Sequence, residues 1–327
     1  MTNRKVWFLK LKSGGKTGVG ETAPIARLSP EDPGLIGFKL DALKVALKNI
    51  EPPSSIEECY DLAERLIGMD FPSIRFGLES ALLDLSAGGK KILFKNDFSA
   101  GIKSLPINGL VWMDTKDEMI RQIDEKLEAG FDCIKLKIGS LDFEEELEVL
   151  KHLRTKSPDV TIRLDANGAF GTNEVFGKLK QLAEFNIHSI EQPIAPSQPE
   201  AMRLLTHKSL IPIALDEELI GVKDKRGLLE TIAPQFIVLK PTLLGGFRQT
   251  SEWISIAESM NIAWWITSYL ESNIGLNAIA QFAGNYEFSL RQGLGTGMLY
   301  ENNIASPLVI SAGDLEIDHS KNWGVIN

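Results

Sequence analysis

Charged residues follow short apolar runs at a nearly constant interval through the second half of the chain. They are Lys137, Asp165, Glu191, Asp216 and Lys240, separated by 28, 26, 25 and 24 residues. The stretches between them carry apolar side chains at helical spacing. Such alternation predicts parallel strands joined by helical crossovers. Each charged residue therefore stands at the C-terminal end of a predicted strand.

The number and regularity of these units predict a closed (β/α) barrel. A further strand is expected to end near Thr267, with a first strand at 106–110 and a last at 290–293. An open dinucleotide-binding sheet would carry a GxGxxG motif after its first strand, and the sequence has none there. We therefore predict an α/β protein whose catalytic barrel occupies residues 101–327.

Residues 1–100 predict an α+β domain that caps the barrel. The runs 6–11 and 17–21 flank Gly14-Gly15 and predict a β-hairpin. Helical spacing follows at 34–50, 57–67 and 73–87. The chain length suits a barrel with one modest extra domain. We also expect the C-terminal segment to return to the cap.

Composition limits the classes of partner. The net charge is −9, and the sequence has neither a Lys/Arg-rich run nor an apolar stretch long enough to span a membrane. We therefore expect no nucleic-acid or membrane partner. Cys59 and Cys133 lack metal-binding spacing and are predicted to be small buried residues in a cytoplasmic protein.

Three acids on consecutive strand ends predict a metal site. The C-terminal strand ends of a barrel surround one pocket, where Asp165, Glu191 and Asp216 would repel one another strongly without a cation. Oxygen ligands without histidine or cysteine favour Mg²⁺ over zinc. Taken singly, Asp165 could form a turn with Asn167, and Asp216 could begin a helix. Their shared position at strand ends favours a site.

The two strand-end lysines, Lys137 and Lys240, flank the acids in sequence. On a closed barrel they would lie on opposite sides of a bound substrate, and a neutral lysine can act as a general base. Lys135 shares a strand face with Lys137. It is expected either to contact the substrate or to form a salt bridge inside the barrel.

Together these residues resemble the muconate-lactonizing subgroup of the enolase superfamily, which uses a lysine or histidine base with Mg²⁺. The matching motifs, in chain order, are Lys135-x-Lys137, Asp165-x-Asn167, Glu191-Gln192-Pro193, Asp216-Glu217 and Lys240-Pro241-Thr242. The resemblance extends over essentially the whole chain, including Gly18-Val19-Gly20-Glu21 in the cap. Within the subgroup, residues 240–246 and 267–276 look most like the o-succinylbenzoate synthases.

The resemblance implies a mechanism that depends on Mg²⁺ held by Asp165, Glu191 and Asp216. Lys137 would remove the proton next to a substrate carboxylate. The resulting enediolate would be stabilised by the metal and by Lys240, and loss of hydroxide would complete a dehydration. The implied substrate is a small carboxylate. The expected substrate-binding residues are Lys135, Asn167, Thr267 and Ser268, although the last two could instead cap the next helix.

An N-acylamino-acid racemase or dipeptide epimerase is the alternative function within the same family. Dipeptide epimerases of the subgroup usually carry Asp-x-Asp near the eighth strand, where residues 292–297 read Gln-Gly-Leu-Gly-Thr-Gly. Relatives with a histidine base carry it at the seventh strand end, and residues 264–268 contain none. Racemisation remains open. A Schiff-base aldolase would not need three acids, and a non-catalytic metal-binding barrel would not need two lysines.

The family resemblance also concerns the beginning of the chain. Family members normally have a further strand and a mobile loop ahead of the segment equivalent to residues 5–11. Here Met1 stands directly ahead of the strand that begins at Val6. We therefore expect the usual first strand and lid loop to be lacking, a free edge on the Val6 strand, and reduced turnover because the site is open to water.

Overall fold

The predicted hairpin forms around Gly14 and Gly15, which both adopt positive φ, of 53° and 76°. The computed structural model describes residues 4–326. The cap consists of β1 (Trp7–Ser13), β2 (Lys16–Thr22), α1 (Ile36–Ala46), α2 (Ile56–Leu66) and α3 (Pro72–Ser86). These bounds agree with the sequence-based expectations to within a few residues. Cys59 is buried on α2, as predicted.

The glycines of β2 allow this strand to lie directly against α3. A Cβ atom on Gly20 would lie 1.9 Å from the carbonyl oxygen of Gly77, and one on Gly18 would lie 2.1 Å from that of Ala81. Real Cβ atoms cannot approach backbone so closely, so only glycine fits at these two positions. Helix α3 is consequently the buried centre of the cap.

The second part of the chain alternates strands and helices as predicted. Its elements are β3 (Leu105–Pro106), β4 (Gly109–Val111), α4 (Lys116–Glu128), β5 (Cys133–Lys137), α5 (Phe143–Lys156), β6 (Thr161–Asp165), α6 (Val175–Leu182), β7 (Ser189–Glu191), α7 (Pro199–Lys208), β8 (Ile213–Leu215), α8 (Lys225–Ile232), β9 (Phe236–Leu239), α9 (Pro241–Leu244), α10 (Phe247–Ser259), β10 (Ala263–Ile266), α11 (Asn273–Ala283), β11 (Leu308–Ser311) and β12 (Asp314–Ile317). Strands β4 to β10 form one parallel sheet in chain order. Within residues 4–326, none of the helices combines the length and apolarity that crossing a membrane requires.

Two residues close the sheet into a ring in place of the last strand expected at 290–293. The backbone of Gln292 accepts a hydrogen bond from Asn108 N (2.9 Å) and donates one to Pro106 O (2.8 Å). On the other side, Gly293 N donates to Ile266 O (2.8 Å). The ring therefore closes through parallel bridges at positions 292 and 293 only.

The first strand differs from the expected 106–110, because the chain divides its pairing between two sheets. Strand β4 pairs with β5, whereas β3 pairs with β12, placing Leu105 opposite Leu315. The segment after β12 reaches the cap. There Lys10 Nζ donates to Ile326 O (2.5 Å), and the Lys91 ammonium lies 5.4 Å from the ring centroid of Trp323.

Strand β1 keeps an open outer edge within the described residues, since its only sheet partner there is β2. A groove of about 990 Å³ separates β1 from α1. Trp7, Leu9 and Leu40 are among its lining residues. The groove belongs to the cap and includes none of the charged strand-end residues.

Buried carboxylates join the cap to the barrel at helix N-termini. The backbone N–H groups of Ser272 and Gly275, in the first turn of α11, each donate to Glu21 at 2.8 Å. Phe247 N, at the start of α10, donates to Glu79 at 2.5 Å. Burial raises the pKa of both carboxyl groups, that of Glu79 to about 8. Glu79 is therefore mostly protonated at neutral pH.

Replacing Glu79 with glutamine should remove one source of pH-dependent instability. In the unfolded chain this group ionises near pH 4.5, but in the folded protein it keeps its proton until about pH 8. The folded state thus binds more protons between these values, and wild-type stability falls as pH rises. We expect the Tm of Glu79→Gln relative to wild type to rise from pH 5 to pH 8, with a free-energy slope of up to about 1.4 kcal/mol per pH unit.

Glu316→Gln, on the exposed face of β12, is the matched control and should track the wild type at every pH. A Glu79→Gln protein whose Tm differs from wild type by the same amount throughout this range would contradict the assignment.

Candidate active site

The strand register places the charged residues side by side at one end of the barrel. Lys137 pairs with Asp165 across β5 and β6, and Asp165 pairs with Glu191 across β6 and β7. Asp216 directly follows β8, and Lys240 directly follows β9. The five residues therefore form a continuous row over five neighbouring strands, as the sequence interval predicted. We refer to it as the strand-end row.

The three carboxylates of the row are almost completely buried, with exposures of 0% for Asp165, 2% for Glu191 and 3% for Asp216. Burial and the neighbouring charge of Asp165 raise the pKa of Glu191 to about 8. Burial also raises the pKa of Asp216, with a further contribution from Glu217. For both groups burial is the largest cause, and a neighbouring carboxylate adds to it.

Lysine amines lie against the carboxylates. Lys135 Nζ is 2.8 Å from Asp165 Oδ2 and 2.6 Å from Glu191 Oε2. Lys137 Nζ is 2.7 Å from the same oxygen of Asp165. Lys240 Nζ donates to Asp216 Oδ2 and is 4.0 Å from Glu191 Oε1. Lys137 and Lys240 thus occupy the two flanks of the row, and Lys135 forms the salt bridges that were one of its two expected roles.

Opposite charges close to Asp165, Lys135 and Lys240 shift the pKa of each of these groups. Burial opposes ionisation of Asp165, but Lys135, Lys137 and Lys240 outweigh it and hold its pKa well below the usual range. Burial likewise opposes the charge of Lys135 and of Lys240, yet the adjacent carboxylates raise the pKa of both. As the structure stands, these ion pairs keep the buried charges compensated.

Asn167 connects the Lys137 end of the row to a fourth acid, Glu217. Its backbone has a positive φ of 44°, and its amide oxygen accepts a hydrogen bond from Lys137 Nζ (2.6 Å). Its amide nitrogen donates to Glu217 Oε1 (2.8 Å). In the sequence, Glu217 belongs to the Asp216-Glu217 motif, but no role was predicted for its side chain. The Asp165-x-Asn167 motif was the signal that a partner for the amide should exist.

Gln192 fixes the backbone that carries Asp216, a role that the sequence did not reveal. Its side-chain oxygen accepts hydrogen bonds from Asp216 N and Glu218 N, both at 3.2 Å. Its side-chain nitrogen donates to Glu218 Oε2 at 3.2 Å. Gln192 is fully buried and has a positive φ of 40°. The Glu191-Gln192-Pro193 motif therefore supplies one acid of the row and orients the next.

Thr267 and Ser268 lie at the same barrel end, but their hydroxyl groups already have partners. Thr267 Oγ1 donates to Gly293 O (2.9 Å), and Ser268 Oγ hydrogen-bonds with Thr296. The alternative that these residues cap the following helix is wrong. Ser272 is the N-cap of α11, and its hydroxyl oxygen accepts from Ile274 N.

The donor set of the row fits a hard divalent cation. Its side chains offer oxygen ligands, and Glu191 Oε1 is buried without a hydrogen-bond partner. Within residues 4–326, no three acidic, histidine or cysteine side chains are spaced to hold a metal as they stand. Lys135 lies between Asp165 and Glu191, so metal binding there requires the amine to withdraw.

Comparison with known proteins places this geometry in a family. Residues 118–324 match the model described as "Enolase C-terminal domain-like". An o-succinylbenzoate synthase of Desulfotalea psychrophila is 42% identical over 97% of this chain and 93% of its own length. The crystal structure of MenC from the same organism superposes with a TM-score of 0.89, at 41% identity, over 96% of this chain and 94% of that one.

A racemase is also among the relatives. An N-succinylamino acid racemase of Thermus thermophilus is 33% identical to this chain. That similarity covers 49% of this chain and 42% of the racemase. It is therefore partial, whereas the similarity to the synthase extends over nearly the full length of both proteins.

Glu191→Gln should weaken Mg²⁺ binding, because it replaces the central carboxyl group of the row with an amide that cannot ionise when the cation binds. We expect a loss of more than about tenfold in affinity by isothermal titration calorimetry, and loss of the Mg²⁺-dependent rise in Tm. Glu184→Gln, in the exposed turn between α6 and β7 ahead of the strand, is the control and should bind Mg²⁺ like the wild type. Equal affinity in all three proteins would rule out the row as the metal site.

Proposed function

We propose a specific dehydration for this chain, which belongs to the enolase superfamily and is an enzyme of the o-succinylbenzoate synthase type. The substrate is 2-succinyl-6-hydroxy-2,4-cyclohexadiene-1-carboxylate, and the product is o-succinylbenzoate, an intermediate of menaquinone biosynthesis. The observation that carries the proposal is the strand-end row, in which three buried acids lie between two lysines. The near full-length similarity to a synthase supports the choice of substrate.

Asp165, Glu191 and Asp216 would hold Mg²⁺ through carboxylate oxygens. The bound cation would supply Lewis-acid chemistry, neutralising the substrate carboxylate and so acidifying the neighbouring C–H bond. Gln192 would keep Asp216 in position through the backbone contacts described above. The orphaned Glu191 oxygen would gain a partner.

Lys137 would act as the base. Its amine is held at one flank of the row by Asp165 and Asn167, so it approaches a bound carboxylate from a fixed direction. Neutral Lys137 takes the proton from the carbon that bears the carboxylate, and the electron pair moves into the carboxylate as an enediolate. The Lys240 ammonium, at the other flank, faces this developing charge.

Elimination completes the reaction. The electron pair returns to form the new ring double bond as the bond between C6 and its hydroxyl oxygen breaks. The Lys137 ammonium gives its proton to the departing hydroxide, which leaves as water. Lys137 is then neutral again, and the ring has become aromatic. Aromatisation makes this last step strongly downhill.

Four further residues complete the proposed pocket. Lys135 and Asn167 lie beside the row and would contact the substrate carboxylate region. Thr267 and Ser268 are buried at the mouth of the barrel and would line the space for the succinyl arm. Because their hydroxyl groups are engaged by Gly293 and Thr296, their contribution is expected to be mainly one of shape.

Racemisation of N-succinyl amino acids is a second candidate. It requires a proton donor on each face of the substrate α-carbon, and Lys137 and Lys240 flank the row in a way that suits this. The partial similarity to an N-succinylamino acid racemase supports the same possibility. Both reactions begin with removal of the same type of proton.

Substitution of the two lysines tests the proposed roles. Lys137→Ala should abolish dehydration and also abolish exchange of the α-proton of N-succinylvaline with solvent deuterium, because the base is gone. Lys240→Ala should lower kcat by about 10²–10³, since it removes charge stabilisation. Turnover would be followed by the absorbance of o-succinylbenzoate, and exchange by NMR.

Lys180→Ala, an exposed lysine on α6, serves as the control and should retain full activity. Wild-type exchange rates in Lys137→Ala would contradict its role as base. If the wild type racemises N-succinylvaline but does not dehydrate the cyclohexadiene substrate, the second candidate replaces the first.

A further inference from the structure

Trp112 lies beside the proposed base. Strands β4 and β5 pair in parallel with Val111 opposite Leu136, so Trp112 follows the end of β4 alongside Lys137. The Lys137 ammonium is 5.8 Å from the centroid of the indole ring. Trp112 is only partly buried at this position. The partly exposed indole therefore lies at the barrel mouth, with the ammonium of Lys137 over its ring.

The position of Trp112 is held by Gln122 from α4. Gln122 Oε1 accepts a hydrogen bond from Trp112 N (2.8 Å), and Gln122 Nε2 donates to Trp112 O (3.3 Å). One amide side chain thus engages both backbone groups of the tryptophan. The next residue on α4, Ile123, is fully buried and anchors the helix in the core.

The indole differs in kind from the other neighbours of the Lys137 amine. Asp165 and Asn167 offer it polar oxygen atoms at 2.7 and 2.6 Å. Trp112 instead offers a broad, flat and largely apolar surface. A ring that delivers its α-proton to Lys137 and becomes planar in the product would lie against this surface, whereas a flexible acyclic chain would gain less from it.

We propose that Trp112 is a specificity-determining residue, whose indole face packs against the ring of a cyclic substrate and favours it over acyclic N-succinyl amino acids. This inference deepens the proposed function and rests on it for the location of the substrate. On this proposal, the choice between cyclic and acyclic substrates depends on Trp112, a neighbour of the strand-end row. The row itself serves both types of substrate.

The test compares two ligands that share a succinyl arm and a carboxylate. Calorimetry with Mg²⁺-supplemented protein would measure the affinities for o-succinylbenzoate, which has a ring, and N-succinylvaline, which has none. Trp112→Leu should weaken binding of o-succinylbenzoate about threefold to tenfold more than binding of N-succinylvaline, the size expected for loss of one aromatic contact. Trp112→Phe should retain most of the preference.

Trp264→Leu is the matched control. Trp264 packs against Tyr286 and Phe288, with centroid distances of 5.2 and 5.6 Å, away from the row. The affinity ratio should stay at the wild-type value in this variant. An unchanged ratio in Trp112→Leu, or equal losses for both ligands, would overturn the proposal and leave Trp112 a packing residue.

The outcome is separate from that of the proposed function, because binding is measured without turnover. A wild type that fails to dehydrate the cyclohexadiene substrate would refute the synthase activity. A Trp112-dependent affinity ratio in that same protein would still support Trp112 as the selector of ring-containing ligands.

Discussion

The electrostatic repulsion among three buried carboxylates is the constraint on which the site depends. Parallel strands in register leave no freedom to separate Asp165 from Glu191, because the two residues are direct partners across β6 and β7. Fully buried acids at such positions must be compensated by positive charge. Lysine amines provide that charge here. A divalent cation could provide it more compactly and would release the amines for catalysis.

Buried carboxyl groups also join the cap to the barrel. Glu21 and Glu79 extend from β2 and α3 to the N-termini of α11 and α10, where unpaired backbone N–H groups need acceptors. Their contacts tie the cap to the helices that follow β10 and α9. Because Gly20 lets β2 lie directly against α3, the side chain of Glu21 is placed where it contacts the N-terminus of α11. The cap motif Gly18-Val19-Gly20-Glu21 is thus explained by packing and by helix capping together.

The sequence was informative wherever a local pattern repeated, and uninformative where contacts join distant segments. The bounds of β5 and the positions of all five residues in the strand-end row follow from the apolar runs and their interval. The closure was predicted at the right place, 290–293, but as a strand, because two bridging residues carry no periodicity that would reveal their short length. The contact of Glu217 and the position of Trp112 were not predicted for a similar reason, since they involve Asn167 and Lys137 in distant parts of the chain.

Proton abstraction and substrate choice therefore depend on different parts of the barrel mouth. In the proposed mechanism the row would supply a base, a facing cation and oxygen ligands, and these would suffice for any substrate with a C–H bond next to a carboxylate. Such chemistry cannot by itself distinguish dehydration from racemisation. Discrimination must come from residues that contact the rest of the substrate and contribute only a few kcal/mol or less. Trp112 is proposed to meet this condition because Gln122 fixes its backbone beside Lys137 while the residue stays partly exposed. A barrel with the proposed proton-transfer geometry can change its substrates through positions of this kind without disturbing the buried charges.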